Sequence, residues 1–91
     1  MPTRPSQRDP EREEDWHQRR REVGARIRRL RIQRGLTQES LSLESGVSRN
    51  VLIQVEHGVR GLMFERLFDL ADALGVDITD IVSDTLGPLS G

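Results

Sequence analysis

Apolar residues recur along this chain at helical spacing, with no useful stretch of strand-like alternation. Trp16, Val23, Ile27 and Leu30 follow one another at steps of seven, four and three, one stripe on a 3.6-residue period. "DPEREED" opens that stripe with helix-start signals: Asp9 as N-cap, Pro10 at the first helical position, acids in the first turn. Gly35 stops the helix after Arg34. Gly24 interrupts the stripe, which argues against one continuous helix. The packed part is therefore expected over 22–34, with 9–21 as a helical extension that frays.

The next elements are short. Thr37 caps a helix over 38–45 that buries Leu41 and the small Ser42, and Gly46 ends it, with Val47 plugging the corner. Ser48 caps a third helix, 49–57, with Leu52 and Val55 inward and Gly58 as its stop. A fourth over 62–74 shows Phe64, Leu67, Leu70, Ala71 and Leu74 at helical spacing and closes at Gly75. Asp77 caps a fifth over 78–84 with Ile78, Ile81 and Val82. The pattern is all-α, and its domain spans 22–84. Residues 1–8, polar and proline-rich, are expected to be disordered, and 85–91 to form a flexible tail.

Two helices this short are unstable alone in water, so other elements must hold them. Helix, three-residue turn with Gly46, and second capped helix is the spacing of a helix-turn-helix. Ser42 and Ser45 supply the small residues such a crossing needs. The second of the two helices opens with Arg49 and Asn50 and carries Gln54 one turn further on the same outer face. These side chains read base edges: Arg pairs with guanine, and Asn or Gln with adenine. The preceding helix N-terminus, with Thr37 and Gln38, suits a phosphate.

Charge sharpens this reading. The net value of −1 hides a segregation. Residues 1–34 carry eleven Arg against six acids, and residues 35–91 carry three Arg against nine acids. Such asymmetry points to a polyanionic partner or to self-association of unlike faces. Every basic residue other than histidine is Arg, which looks like a GC-rich genome more than a selected property, though Arg does suit phosphate. The absence of cysteine excludes disulfides and thiolate chemistry. His17 and His57 stand apart, without metal-ligand spacing, and no nucleophile–base constellation is present, so an enzyme is not expected and no cofactor is called for. No apolar run spans a bilayer and the N-terminus has no signal-peptide core, so the expected compartment is the cytoplasm.

The stretch "RIRRLRIQRGLTQESLSLESGVSRNVLIQVEHG" resembles the phage-repressor and Cro-like (XRE) family of helix-turn-helix DNA-binding proteins. Arg31, "GLTQ" of Gly35 to Gln38, Leu41, "GVS" of Gly46 to Ser48, Glu56, Gly58 and "LADALGV" of Leu70 to Val76 carry the likeness, which covers residues 22–83. It implies a compact five-helix domain whose third helix enters the major groove. It places Arg49, Asn50 and Gln54 on base contacts, Gln38 on a phosphate, and Arg31 with Glu56 as an ion pair tying the first helix to the third. Thr37 and Ser48, at the two helix starts, join the expected phosphate contacts.

The chain departs from the family pattern at "RGLM", Arg60 to Met63, where a polar turn is usual; Arg60 becomes the candidate phosphate contact there. Leu43, Val51 and Ile53 are apolar where the family is usually polar. Val51 and Ile53 either touch thymine methyls or mark a protein-binding surface. The implied function is a transcriptional regulator, in the first instance a repressor, binding a pseudo-palindromic duplex site as a homodimer. The second reading is a protein-interaction module such as the antitoxin of a toxin–antitoxin pair. One or two of Arg26, Arg28 and Arg29 are expected to reach phosphate. The dimer surface is expected at Trp16 of the extension or at Ile81, Leu86 and Leu89.

Overall fold

In the computed structural model, residues 10–83 are described, and they form α1 (Pro10–Gln33), α2 (Gln38–Ser45), α3 (Arg49–Glu56), α4 (Phe64–Leu74) and α5 (Ile78–Val82). The expectations for Asp9, for residues 1–8 and 85–91, and for Leu86 and Leu89 lie outside those residues. The short helices start and stop where their caps dictate. The Thr37 side chain accepts from the Ser40 amide at 3.0 Å, while the Thr37 amide donates to Ser40 Oγ at 2.9 Å, a reciprocal capping box. Gly46 and Gly75 end α2 and α4 at φ 81° and 71°, a conformation that favours glycine.

Each helix sends at least one side chain into a common centre. Ile27, Leu41, Leu52, Leu70, Leu74 and Ile81 are fully buried, each contributing roughly 1.5–3 kcal/mol of burial. Val47, at the corner between α2 and α3, is buried with them. The turn beneath it is tied twice: Ser42 Oγ donates to the Val47 carbonyl at 2.6 Å, and the Val47 amide donates to Ser45 Oγ at 3.1 Å. The two serines thus fix the turn through hydrogen bonds as well as by being small.

Several expectations are corrected. α1 runs unbroken through Gly24, which is buried. A Cβ there would overlap the Val55 carbonyl oxygen and stand 3.1 Å from that of Glu56. Glycine marks the place where α1 crosses the end of α3, not a break. Phe64, though on the helical stripe, is 57% exposed, and it meets the exposed Phe68 edge-to-face with centroids 6.5 Å apart. Phe64 also opens α4, two residues later than the expected start. Ile81 is fully buried and unavailable as a dimer surface. Arg26 turns inward: its Nη1 donates to the Ile81 carbonyl at 2.9 Å and also to that of Ser83, so it closes the end of α5 instead of facing a phosphate. Arg34 Nη1 donates likewise to the Leu74 carbonyl at the end of α4.

Gly24→Ala separates the two readings of that glycine. An ordinary helix interior would gain about 1 kcal/mol from alanine. Here the added carbon meets backbone, so the substitution is expected to destabilise by about 1–3 kcal/mol, read from the urea midpoint at unchanged slope.

Candidate nucleic-acid interface

The outer face of α3 follows from its inner one. With Leu52 and Val55 buried, Arg49, Asn50 and Gln54 are left exposed. Ser48 starts the helix, its hydroxyl oxygen accepting from the Val51 amide at 3.2 Å. Arg49 and Asn50 therefore lie in the first turn, at the end where the backbone N–H groups are free and an anion is favoured. Val51 and Ile53 are both half-buried, and Val51 packs against the core. Only part of its side chain faces outward.

Gln54 is not isolated. Arg60 Nη1 donates to Gln54 Oε1 at 3.3 Å. This contact settles which way the amide faces and leaves the Gln54 Nε2 group with two donors. Arg60 and Gln54, expected separately as a phosphate contact and a base contact, are brought together. His57, at the C-terminal end of α3, has its Nδ1 3.0 Å from the Ile53 carbonyl.

Beneath this face lies the ion pair. Arg31 Nε donates to Glu56 Oε2 at 2.7 Å and Arg31 Nη2 to Oε1 at 3.0 Å, a two-pronged contact. The side chains are 11% and 1% exposed. Gln38 Nε2 donates to the same Oε1 at 3.1 Å, and Arg31 Nη1 donates to the Leu36 carbonyl at 2.9 Å. Gln38, expected on a phosphate, thus has one donor on Glu56 and is half-buried, with its second donor remaining. Thr37 and Ser48 are exposed at the starts of α2 and α3.

Arg66 was not singled out from sequence. A groove beside the turn is lined by Ser48, Val51, Arg60, Met63 and Arg66, and Arg66 Nη1 lies 3.9 Å from where a Gly46 Cβ would be. It also pairs with Asp69 at 3.2 Å on the surface. Its position in the first turn of α4 was readable; that α4 runs beside the α2–α3 turn was not. Arg28 and Arg29 are exposed on α1.

Comparison with known proteins matches this geometry. A family model described as helix-turn-helix matches residues 27–81. The uncharacterized HTH-type transcriptional regulator y4dJ of Sinorhizobium fredii is 41% identical over 63 residues, 69% of this chain and 82% of the relative. The transcriptional repressor RstR of the cryptic phage CTXphi in Vibrio cholerae is 36% identical over 61 residues, 67% of this chain and 55% of RstR. The crystal structure of the restriction-modification controller protein C.AhdI from Aeromonas hydrophila superposes with a TM-score of 0.67 at 34% identity, covering 68% of this chain and 94% of that one.

Removing one partner of the buried pair strands the other charge. Arg31→Met or Glu56→Leu alone is expected to cost roughly 3–5 kcal/mol. The double substitution should cost clearly less than the sum of the two, and a double-mutant cycle by urea unfolding checks it.

Proposed function

Because this chain belongs to the helix-turn-helix family, we propose that it is a DNA-binding transcriptional regulator whose α3 reads the major groove of a duplex operator. The observation that carries the reading is the exposed row Arg49, Asn50 and Gln54 on a helix whose other face is locked into the core. Rigid presentation of this kind is what base readout requires. Arg49 and Asn50, nearest the helix start, meet base edges. Gln54 meets them one turn later, with its amide oriented by Arg60. Val51 and Ile53 offer apolar surface to thymine methyls.

Phosphates on either side would be held by Gln38 through its second amide hydrogen, by Thr37 and Ser48, and by Arg60 and Arg66 across the groove. The relatives named as a repressor and as a controller protein support a regulator, and the first supports repression. They favour this reading over the antitoxin-like module, for which the exposed Leu43 and Met63 remain the supporting features. None of the described helices is long and apolar enough to cross a membrane, and the working compartment is the cytoplasm. The operator is a pseudo-palindrome bound by a homodimer, since one recognition helix spans too few base pairs for a useful specificity ratio. With Ile81 buried, the extension of α1 around the half-buried Trp16 is the proposed dimer surface.

Selection of bound sequences from a random duplex pool tests the reading, and failure to enrich any sequence rejects it. On the selected site, Arg49→Ala should relax preference at one position, with a cost of roughly 1–3 kcal/mol. Affinity should fall steeply with salt through counterion release, whereas a flat response means phosphate is not the ligand. Gln38→Ala should weaken all sequences alike, and it should also lower stability, because Glu56 loses a donor.

A further inference from the structure

The first part of α1 is unlike the rest of that helix. Between Pro10 and Arg19 every residue is exposed except the half-buried Trp16, so about 15 Å of helix lies against little else among the described residues. A helical stretch that short has little stability alone in water. Its charges are sorted by position. Residues 11–15, "EREED", hold four acids and one Arg, whereas residues 19–21 are all Arg. The one Arg of the tip, Arg12, is engaged, its guanidinium 5.4 Å from the centre of the Trp16 ring. Asp15 and Arg19 meet at 3.2 Å within the helix but stay largely exposed, so that pair is weakly held. At the base, Arg19 and Arg20 border the same groove as Arg60 from the loop after α3, which adds a further cation there. An acidic tip and a basic base thus flank Trp16.

We propose that the extensions of two copies of this chain pair antiparallel about a two-fold axis, each acidic tip lying on the basic base of the other. This rests on the reading of the extension as the dimer surface, and it adds the orientation and register of the pair. Glu13, Trp16 and Arg20 follow one another at steps of three and four, one stripe that reads acid, aromatic, base. The two charged blocks are centred on residues 13 and 20, so the axis passes midway, between Trp16 and His17. Glu13 then faces the partner's Arg20 on both sides of the axis, and the two Trp16 side chains meet near the centre. Arg20 holds Nη2 2.7 Å from His17 Nδ1, and only its Nε is buried without a bond, so Nη1 stays at the surface. A parallel pair in register would set acid on acid and base on base. Surface charges of this kind fix orientation more than affinity, while Trp16 supplies the apolar contact. The same patch serves both copies, so the contact closes on itself.

Sedimentation of the full chain, without DNA, reads the assembly, and the absence of cysteine lets single introduced cysteines report its geometry. Glu13→Arg with Glu14→Arg reverses the tip and is expected to raise the dimer Kd at least about tenfold. Arg19→Glu with Arg20→Glu reverses the base and should do the same. Mixing the two variants should restore a dimer, because each reversed block then meets its opposite. His17→Cys, beside the axis, should cross-link to its mate through a short bis-maleimide. Glu11→Cys, about 16 Å from its mate along the helix axis, should not. The cysteine pair decides the matter should the base variant fold poorly. Cross-linking at both positions means a parallel pair, and dimers that persist in both charge variants mean another surface; either result overturns this arrangement alone. A wild-type chain that stays monomeric overturns the dimer surface along with it, and the selection for a DNA sequence is read separately.

Discussion

Glu56 is the residue on which the arrangement turns. A buried carboxylate is costly to desolvate, and at the C-terminal end of a helix it also faces the unfavourable pole of the helix dipole. The site is tolerable only because Arg31 meets it with two donors and Gln38 with a third. Those partners sit on α1 and on the first turn of α2. One carboxylate thereby fixes three helices to one another, and fixes the start of α2 relative to the end of α3. A helix pair too short to persist alone acquires a set geometry from a charge that has few other ways to be satisfied.

The arginines of α1 follow a related logic. Arg26 donates to carbonyls at the end of α5, Arg31 to the Leu36 carbonyl as well as to Glu56, and Arg34 to the end of α4. Helix C-termini carry orphan acceptors and partial negative charge, and a guanidinium with several donors suits them. Part of the basic excess in the first third of the chain is therefore structural. The charge asymmetry by itself overstated how much of that helix is free to face a polyanion.

Local chemistry made most of the architecture legible. Thr37, Ser48, Gly46 and Gly75 are caps whose preference acts within a turn of the residue, so the bounds of α2 and α3 could be read to within a residue. Side chains whose role depends on a distant neighbour were less legible. Gly24 looked like a weak point because helix propensity cannot register the Val55 carbonyl lying against it. Phe64 sits at the edge of the stripe made by Leu67, Leu70, Ala71 and Leu74, and periodicity does not say how wide the buried sector is. For the candidate site, the order Arg49, Asn50, Gln54 was visible in sequence, while the contact between Gln54 and Arg60 depends on how the following loop folds back.

The continuity of α1 has a mechanical consequence. At about 1.5 Å per residue, Gly24 divides the helix into arms of roughly 12 Å to Trp16 and 10 Å to Arg31. Gly24 is where α1 bears directly on the backbone of α3, and the Arg31 arm is held there by the buried Ile27 and by the pair with Glu56. From Arg19 back to Pro10 only Trp16 is less than exposed, so the other arm leaves the core in a direction set by the Gly24 contact. Whatever seats itself on the extension is thus placed relative to α3 by one continuous helix.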